Sequence, residues 1–327
     1  MISDRLKTEI EENLKNKKQT ILFLNRRGYS SFVICRDCGY TAKCKNCNIT
    51  LTYHKFENKL KCHYCGFEMN NLQFCPECNS KNIKYFGTGT QKLEDEVHKL
   101  FPECKTIRMD IDTVTAKNSH ETILNKFKNE NIDILIGTQM VVKGHHFPNV
   151  TLVGVISADS SLNIEDYRAT ERTFQTIVQV AGRAGREKEK GRVIIQTYNP
   201  DSYAILDAKE QNYDKFYSQE IELRKVLKYP PFCDIIMIKF LGTDLNEIVK
   251  CSNIFYKNLQ KYINGTNGMV FKPVPAPIDK IKNKFRWRII IKGKVNSSML
   301  KAISLSFNST ENCKNTTITV DINPNNT

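Results

Sequence analysis

Several common features are scarce or missing in this chain of 327 residues. No apolar run approaches the roughly 20 residues that a membrane-spanning helix needs, so we expect no membrane contact. The first residues are polar and charged rather than an export signal, which predicts a cytoplasmic protein. The phosphate-binding pattern GxxxxGK[ST] is also missing, so the sequence does not predict a complete ATP site within this chain.

Acidic residues are a minority, with 35 Asp and Glu against 49 Lys and Arg and a formal net charge of +14. This excess favours a polyanionic partner, most simply nucleic acid. A lysine- and asparagine-rich composition inherited from an AT-rich genome explains the charge equally well. The length allows two or three domains with a real hydrophobic core.

Cysteine, in contrast, is abundant. Eight of the twelve cysteines form four Cys-x-x-Cys pairs, which are Cys35/Cys38, Cys44/Cys47, Cys62/Cys65 and Cys75/Cys78. Each pair can present two thiolates to one tetrahedral ion, so four pairs predict two four-cysteine zinc sites. Four thiolates leave no open position for a catalytic water, which makes the predicted sites structural. The remaining Cys104, Cys233, Cys251 and Cys313 lack paired spacing and are predicted to be ordinary buried thiols.

The spacing of the pairs favours a nested arrangement. Five residues separate Cys38 from Cys44, whereas fourteen separate Cys47 from Cys62. A hairpin of residues 50–54 and 59–61 would bring the inner pairs together and leave the outer pairs close. The predicted sites are therefore Cys35, Cys38, Cys75 and Cys78 for the first ion, and Cys44, Cys47, Cys62 and Cys65 for the second. Sequential pairing is the alternative, and His54 or His63 in place of a thiolate is a weaker one.

Outside the cysteine block, predicted strands alternate with predicted helices. The strands are residues 21–24, 105–109, 132–136, 151–157 and 191–198, and the helices are residues 1–18, 90–101, 119–129 and 165–182. This alternation predicts an α/β domain with a mostly parallel sheet. The cysteine block is then an insertion placed soon after the first strand of that domain.

A second domain boundary is predicted near Tyr229-Pro230-Pro231. Beyond it, strands at 235–241, 287–292 and 318–323 and helices at 245–262 and 297–307 surround a Gly/Asn/Pro-rich stretch at 264–277. This pattern predicts a small α+β domain. The predicted organisation is thus residues 1–34 and 81–228 for the α/β lobe, 35–80 for the zinc module, and 229–327 for the C-terminal domain.

The segment QVAGRAGR at residues 179–186, here called the arginine segment, carries the sharpest chemistry outside the zinc module. Arg183 and Arg186 can reach a phosphate from one side of a turn, and the planar guanidinium binds phosphate oxygens bidentately. Such arginines can stabilise the charge of a transferring phosphoryl group. The alternative is a basic helix C-terminus capped by Gly185.

A second segment, residues 134–148, runs from a buried strand into a polar, glycine-containing loop. The loop offers Thr138, Gln139, Lys143 and Gly144 to a nucleotide or a phosphate backbone. A metal site at His145-His146 is a weaker interpretation because no third ligand lies nearby in the sequence.

These motifs resemble the PriA family of bacterial replication-restart DNA helicases. The arginine segment resembles motif VI of superfamily-two helicases, and ILIGTQMVVKGHHFP resembles motif V in the form that this family uses. ILFLNRRGYSSFVICRDCG, the four cysteine pairs and GTGTQKLEDEV resemble the second helicase lobe with its zinc insertion. YPPF and PVPAPI…RWRIIIK resemble the C-terminal domain. The resemblance implies a RecA-like second lobe and the nested cysteine pairing.

The resemblance also implies an ATP-dependent 3′-to-5′ DNA helicase acting in replication restart and primosome assembly. Arg183 and Arg186 would contact the γ-phosphate, with Arg186 as the arginine finger. Gln179 would orient the nucleotide or its water, and Gly182 would bind the nucleotide. Thr138, Gln139, Lys143 and Gly144 would couple the nucleotide to the DNA backbone. ATP and Mg²⁺ would bind only with the first lobe, which carries the GxxxxGK[ST] and DExH motifs in this family. Asp95-Glu96-Val97-His98 matches DExH literally, but it follows no apolar strand and is predicted to belong to an amphipathic helix. We therefore expect the chain alone to be inactive.

The implied partners are DNA forks and single strands, other primosome proteins and single-strand-binding protein, with the chain itself a monomer. Arg286-Trp287-Arg288 in the C-terminal domain would bind DNA. The rival hypothesis is a zinc-stabilised DNA-binding or protein-docking module with no enzymatic activity.

Overall fold

The computed structural model describes residues 1–24, 32–45, 49–54, 57–62, 66–85, 90–109, 119–138, 147–185, 191–263, 268–311 and 313–325. The helices are α1 Asp4–Lys15, α2 Thr90–Leu100, α3 Ser119–Asn129, α4 Asp159–Leu162, α5 Ala169–Ala181, α6 Tyr203–Glu210, α7 Tyr213–Val226, α8 Leu245–Tyr262 and α9 Ser297–Asn308. The strands are β1 Gln19–Phe23, β2 Val33–Cys35, β3 Thr52–His54, β4 Lys59–Lys61, β5 Glu68–Asn70, β6 Ile83–Tyr85, β7 Thr106–Met109, β8 Ile134–Gly137, β9 Val150–Val155, β10 Arg192–Ile195, β11 Asp234–Gly242, β12 Met269–Val270, β13 Val274–Ile281, β14 Lys284–Gly293 and β15 Thr316–Ile322.

The first domain is built on a parallel sheet with the strand order β10-β9-β1-β8-β7. Side chains of a strand alternate between the two faces of a sheet. In β1 and the residue after it, Ile21 and Phe23 enter one apolar cluster and Leu22 and Leu24 enter another, each at most 1% exposed. The central strand is therefore buried on both faces, and the predicted α/β lobe is confirmed.

Helices cover both faces of this sheet. α3, α5, α6 and α7 contribute to one cluster, and α1 and α2 contribute to the other. α1 begins where the Ser3 hydroxyl accepts a hydrogen bond from the Leu6 amide at 3.3 Å, and it buries Leu6 and Ile10 one turn apart. α2 buries Leu93 and Val97 in the same way.

The zinc module leaves the lobe through β2 and returns through β6, which pair antiparallel. Within it, β3 pairs with β4 in the register Thr52↔Lys61 and His54↔Lys59, so the predicted hairpin is confirmed. A third strand, β5, pairs with β4 and was not predicted, because three residues are too few to show an alternation. Glu68 on β5 forms ion pairs with Lys59 and Lys61 on β4.

The C-terminal domain is an antiparallel sheet with the order β12-β14-β11-β15, to which β13 adds by pairing with β14. α8 and α9 pack against one face. The predicted α+β domain is confirmed, but β12 and β13 lie in or beside a stretch that the sequence marked as irregular. β13 contains Pro275 and Pro277. Proline is tolerated there because β13 is an edge strand that pairs with β14 only near its two ends.

The predicted helix over residues 165–182 is confirmed as α5, but it begins later than predicted. The structure has α4 before that range and begins α5 only at Ala169. Asp166 accepts a hydrogen bond from the Arg168 amide at 2.9 Å, and such local side-chain bonds compete with helical ones. Helices α6 and α7 were not predicted.

None of the helices in the described part of the chain is long and apolar enough to cross a membrane.

Of the four cysteines outside the Cys-x-x-Cys pairs, Cys104 and Cys251 are buried as expected, whereas Cys233 and Cys313 are only half-buried, which corrects the prediction for those two.

Candidate functional site

The first cysteine begins the same backbone turn in the pairs Cys35/Cys38, Cys62/Cys65 and Cys75/Cys78. In these three pairs, the N–H of the first cysteine donates to the carbonyl of the residue five positions later. The carbonyl of the same cysteine accepts from the N–H of the residue four positions later. The first bonds are Cys35 to Tyr40, Cys62 to Phe67 and Cys75 to Ser80, and the second come from Gly39, Gly66 and Asn79, at 2.8–3.0 Å. Cys44 makes the first of these bonds, to Ile49 at 2.8 Å.

The residue four positions after the first cysteine has a left-handed backbone in these turns. Gly39, Gly66 and Asn79 have φ values of +77°, +75° and +55°. Glycine adopts this conformation without a steric cost and asparagine tolerates it, so the residue type fits the turn. The cysteine spacing alone predicted two thiolates on one side of a knuckle, and the turn explains how the backbone presents them.

The outer pairs form one cluster of sulfur atoms. The sulfurs of Cys35, Cys38, Cys75 and Cys78 all lie within 4.8 Å of one another. Cys35 is 3.6 Å from Cys78 and Cys38 is 3.5 Å from Cys75. Four sulfurs at about 2.3 Å from a zinc ion have tetrahedral edges of about 3.8 Å. The four side chains therefore fit a zinc ion, and the cysteines are those that nested pairing brings together.

Hydrogen bonds set the protonation of this cluster. Burial raises the pKa of the Cys35 thiol, but the backbone N–H groups of Cys38 and Asp37, together with the Cys78 and Cys38 side chains, lower it to about 7. For Cys38, the Tyr40 backbone N–H lowers the pKa, while burial and the neighbouring sulfurs raise it to about 12. Within the cluster, the thiolate form is therefore most favoured at Cys35, and a bound metal ion would displace the remaining protons.

The inner pairs are only half described. Cys44 and Cys62 are each 1% exposed and share an apolar cluster with Leu51 and Leu60 of the hairpin. Cys47 and Cys65 lie outside the described residues. Cys44 and Cys62 thus belong to one apolar cluster, and the second zinc site stays a prediction.

The zinc module rests on the lobe at Gly39. A Cβ atom there would lie 1.9 Å from the carbonyl oxygen of Tyr198, so only glycine allows this approach. The Arg36 guanidinium lies 4.8 Å from the centroid of the Tyr198 ring. Asp159, which is 1% exposed, accepts hydrogen bonds from the Tyr198 backbone and the Asn199 side chain at 3.0 and 2.9 Å. A buried carboxylate of the lobe therefore shapes the surface on which the outer cysteines sit.

The arginine segment lies at the end of α5. Gln179 is exposed, while Ile177 and Val180 pack into the core of the lobe. The helix ends at Gly182, whose N–H donates to the Val178 carbonyl at 3.0 Å, and Arg183 follows in a turn, half-buried.

The turn that carries Arg183 is attached both to α5 and to the sheet. The N–H groups of Arg183 and Ala184 donate to the α5 carbonyls of Val180 and Ala181 at 3.0 and 3.2 Å. Gly185, with φ of +59°, donates its N–H to the carbonyl of Val150 at 3.1 Å. Val150 is the first residue of β9, so this bond fixes the turn at the amino end of that strand. The C-cap of α5 is Gly182, so the alternative in which Gly185 caps the helix is wrong, and Gly185 connects the turn to the sheet instead. Arg186 lies outside the described residues.

Thr138 lies at the opposite end of the strands, the carboxyl end. It follows β8, and its N–H donates to the Met109 carbonyl at 3.3 Å. On the neighbouring strand β1, Gln19 lies level with Val150, and Leu24, the residue after the strand, lies level with Thr138. These five positions separate Val150 from Thr138 by about 16 Å along the strands. The structure therefore does not bring Thr138 to the arginine turn. Gln139, Lys143 and Gly144 lie outside the described residues.

The predicted DNA contacts of the C-terminal domain need a correction. Arg288 is 2% exposed, and its guanidinium lies 3.7 Å from the Glu165 carboxylate. DNA therefore cannot reach this side chain in the folded protein. Trp287 packs beside the helices against the core. Arg286 donates to the Ile278 carbonyl at 3.3 Å and stays at the surface.

Glu165 is a functional candidate that the sequence did not indicate. Its position falls inside the segment predicted as helix, and its partners Thr52 and Arg288 lie 113 and 123 positions away. No local pattern marks such a contact. The alternation in β14 gives a partial signal, since Ile289 and Ile291 enter the core and their neighbour Arg288 must face the other side.

Three family models match the chain. The model of the PriA DNA helicase Cys-rich region domain matches residues 44–69, that of the helicase conserved C-terminal domain matches residues 71–188, and that of the primosomal protein N C-terminal domain matches residues 225–325.

Curated relatives match over most of the chain. The replication restart protein PriA of Bacillus subtilis (strain 168) is 43% identical over 330 residues, which cover 99% of this chain and 40% of the relative. That of Borreliella burgdorferi is 40% identical over 307 residues, covering 93% of this chain and 46% of the relative. The chain thus spans less than half the length of these relatives. Among solved structures, the C-terminal part of the Fun30 ATPase domain reaches a TM-score of only 0.32 at 13% identity, covering 68% of this chain and 51% of that one.

Proposed function

Because the chain belongs to the PriA family as the counterpart of its C-terminal part, we propose that it is part of an ATP-dependent 3′-to-5′ DNA helicase. Its role would be replication restart and primosome assembly. The chain would supply the second helicase lobe, the zinc module and the C-terminal domain. The observation that carries this proposal is the arginine segment at the end of α5, inside the region that matches the helicase C-terminal model.

The arginine segment would act on a nucleotide that another lobe holds. Arg183 and Arg186 would contact the γ-phosphate of ATP, with Arg186 as the arginine finger. Gln179 would orient the nucleotide or its water, and Gly182 would bind the nucleotide. Arginine suits this role because it stays charged and its donors match phosphate oxygens. The bond from Gly185 to Val150 supports the proposal, since it limits the freedom of the turn before catalysis.

The segment from Thr138 through Gln139, Lys143 and Gly144 would couple the nucleotide to the DNA backbone. Its described ends lie at opposite ends of the strands. Thr138 donates to the carbonyl of Met109, the last residue of β7, whereas Phe147 accepts a hydrogen bond from Val150, the first residue of β9. The positions of Thr138 and Phe147 at opposite ends of the strands support this proposal.

The zinc module would hold two zinc ions. Cys35, Cys38, Cys75 and Cys78 would bind one, and Cys44, Cys47, Cys62 and Cys65 the other. Zinc bound by four thiolates crosslinks the chain and offers no open position to a substrate. The ions would therefore stabilise a docking surface and take no part in ATP hydrolysis.

The partners would be DNA forks and single strands, other primosome proteins and single-strand-binding protein, with the chain itself a monomer in the cytoplasm. ATP and Mg²⁺ would bind only together with a first lobe. The net charge of +14 supports a nucleic-acid partner.

A second candidate function is a zinc-stabilised DNA-binding or protein-docking module without enzymatic activity. The lack of a GxxxxGK[ST] pattern in the sequence favours it. In this case the arginine segment would serve only the fold of the lobe.

A complementation assay separates the two functions. DNA-stimulated ATP hydrolysis is measured for the chain alone and after adding the N-terminal part of a PriA relative. The helicase proposal predicts activity only in the mixture and its loss with Arg186→Ala. Arg5→Ala, which changes an arginine of α1 whose side chain is 78% exposed, should leave the activity intact. DNA binding without ATP hydrolysis in either sample supports the docking module instead.

A further inference from the structure

Glu165 lies where the zinc module and the C-terminal domain meet the lobe. It is 5% exposed and belongs to the connection between α4 and α5. One carboxylate oxygen, Oε2, accepts a hydrogen bond from the Thr52 hydroxyl of the zinc module at 3.0 Å. The other, Oε1, lies 3.7 Å from the Arg288 guanidinium of the C-terminal domain. Each oxygen of one buried side chain therefore faces a different domain.

The same connection makes further contacts with both domains. Asn163 accepts a hydrogen bond from the Thr50 hydroxyl of the zinc module at 3.1 Å. Tyr167 stacks on Tyr229 at the start of the C-terminal domain, with ring centroids 4.8 Å apart and an interplanar angle of 8°. Lys292 of that domain lies 3.5 Å from the centroid of the Tyr229 ring. Glu165 is thus part of a continuous contact rather than an isolated ion pair.

The connection leads directly into the helix that carries the arginine segment. Asp166 accepts hydrogen bonds from Arg168 and Arg172 at the beginning of α5. The same two arginines donate to the carbonyls of Pro324 and Asn325, at 3.1 and 2.7 Å. The end of the described chain is therefore held against the start of α5, whose 13 residues extend about 20 Å to the arginine segment.

The energetics of a buried ion pair make Glu165 sensitive to its neighbours. Taking two charges out of water is costly unless they are paired and their remaining hydrogen-bonding capacity is met. Thr52 meets part of that capacity for Glu165, and Glu165 in turn offsets the charge of Arg288, which is 2% exposed. Loss of order at Thr52 therefore weakens the support of Arg288, although the two residues belong to different domains.

We propose that Glu165 is a positioning residue that ties the zinc module to the C-terminal domain, so that zinc bound by the module also orders strand β14. The proposal rests on the proposed zinc sites. A second, apolar tie exists, because Leu51 and Leu60 of the module share a cluster with Ile235 and Ile290 of the C-terminal domain. Glu165 accordingly carries part of the coupling, and the apolar cluster carries the rest.

Amide hydrogen exchange of the full chain tests this proposal, with and without zinc removal by a chelator. In the unaltered chain, we expect zinc removal to raise exchange in residues 35–80 and to raise it roughly tenfold in β14, as the loss of a charged hydrogen bond implies. In Glu165→Gln, exchange in β14 is already raised with zinc bound, and zinc removal adds about threefold or less. Glu9→Gln is the matched control, since Glu9 is 4% exposed and pairs with Arg5 and Arg192 inside the lobe.

The possible outcomes separate the tie from the zinc sites. Unchanged exchange in residues 35–80 on chelation contradicts the zinc proposal itself. A response in residues 35–80 without one in β14, or an equal β14 response in Glu165→Gln and in the unaltered chain, overturns the tie. If Glu165→Gln does not fold, Thr52→Val, which removes one hydrogen bond and keeps both charges, must also reduce the β14 response, and an unreduced response overturns the tie.

Discussion

The zinc module and the arginine segment differ in how much of each site this chain contains. The outer cysteine cluster has four sulfurs within 4.8 Å of one another, so its ligand set is complete. The arginine segment offers donors at the end of α5 but has no partner phosphate site in the sequence. A metal site can be complete within one module, whereas the proposed ATP site would be shared between two lobes. Changes to the first should act on stability, and changes to the second on activity.

The largest expected effect is on activity. In the complemented mixture, Arg186→Ala should lower ATP hydrolysis about 10³-fold, because an arginine finger contributes on that scale. Arg183→Ala should also lower it strongly. The zinc content of both variants should equal that of the unaltered chain. A variant that loses zinc together with activity would break the separation between the two sites.

Zinc removal should have the next largest effect, this time on structure. Structural zinc contributes an apparent 10–16 kcal/mol in small zinc domains, comparable with the whole stability of about 5–15 kcal/mol of a folded domain. We therefore expect a chelator to abolish amide protection of β3 and β4. The strands β1, β8 and β9 should keep theirs, since each is buried in the core of the lobe. Loss of protection throughout the lobe would contradict a separate, metal-held module.

A smaller effect is expected where the module rests on the lobe. Gly39→Ala should destabilise the chain by about 2 kcal/mol, because the new Cβ would meet the Tyr198 carbonyl and the backbone has a positive φ. Thermal unfolding measures this change. Gly66→Ala is the matched control, with φ of +75° but only the Val274 side chain at 3.0 Å. Equal losses for the two variants would show that backbone strain alone decides, and that docking at Tyr198 contributes little.

Local features of this protein could be predicted from the sequence. The cysteine spacing implied knuckles, and the glycine or asparagine four positions after a first cysteine matches the turn that forms. The hairpin followed from the alternation of residues 50–54 and from a turn that lets Lys59–Lys61 pair with them. These features depend on residues close in the sequence, and a few hydrogen bonds decide each of them.

Features decided by distant contacts could not be predicted. The start of α5 depends on Asp166, whose side chain bonds to the backbone and delays the helix. The burial of Arg288 depends on Glu165 and on the zinc module, more than a hundred positions away. The sequence RWR indicated a DNA contact because its charge was visible and the surface that covers it was not.

The pairing of the cysteines is the claim on which the zinc module depends, and zinc content per chain measures it directly. We expect two ions in the unaltered chain, one in the double variant Cys35→Ser with Cys75→Ser, and none in Cys35→Ser with Cys44→Ser. Sequential pairing predicts the reverse for the two double variants, with both ions lost in the first and one retained in the second. That reversed result, or a single ion in the unaltered chain, would contradict the nested two-site account.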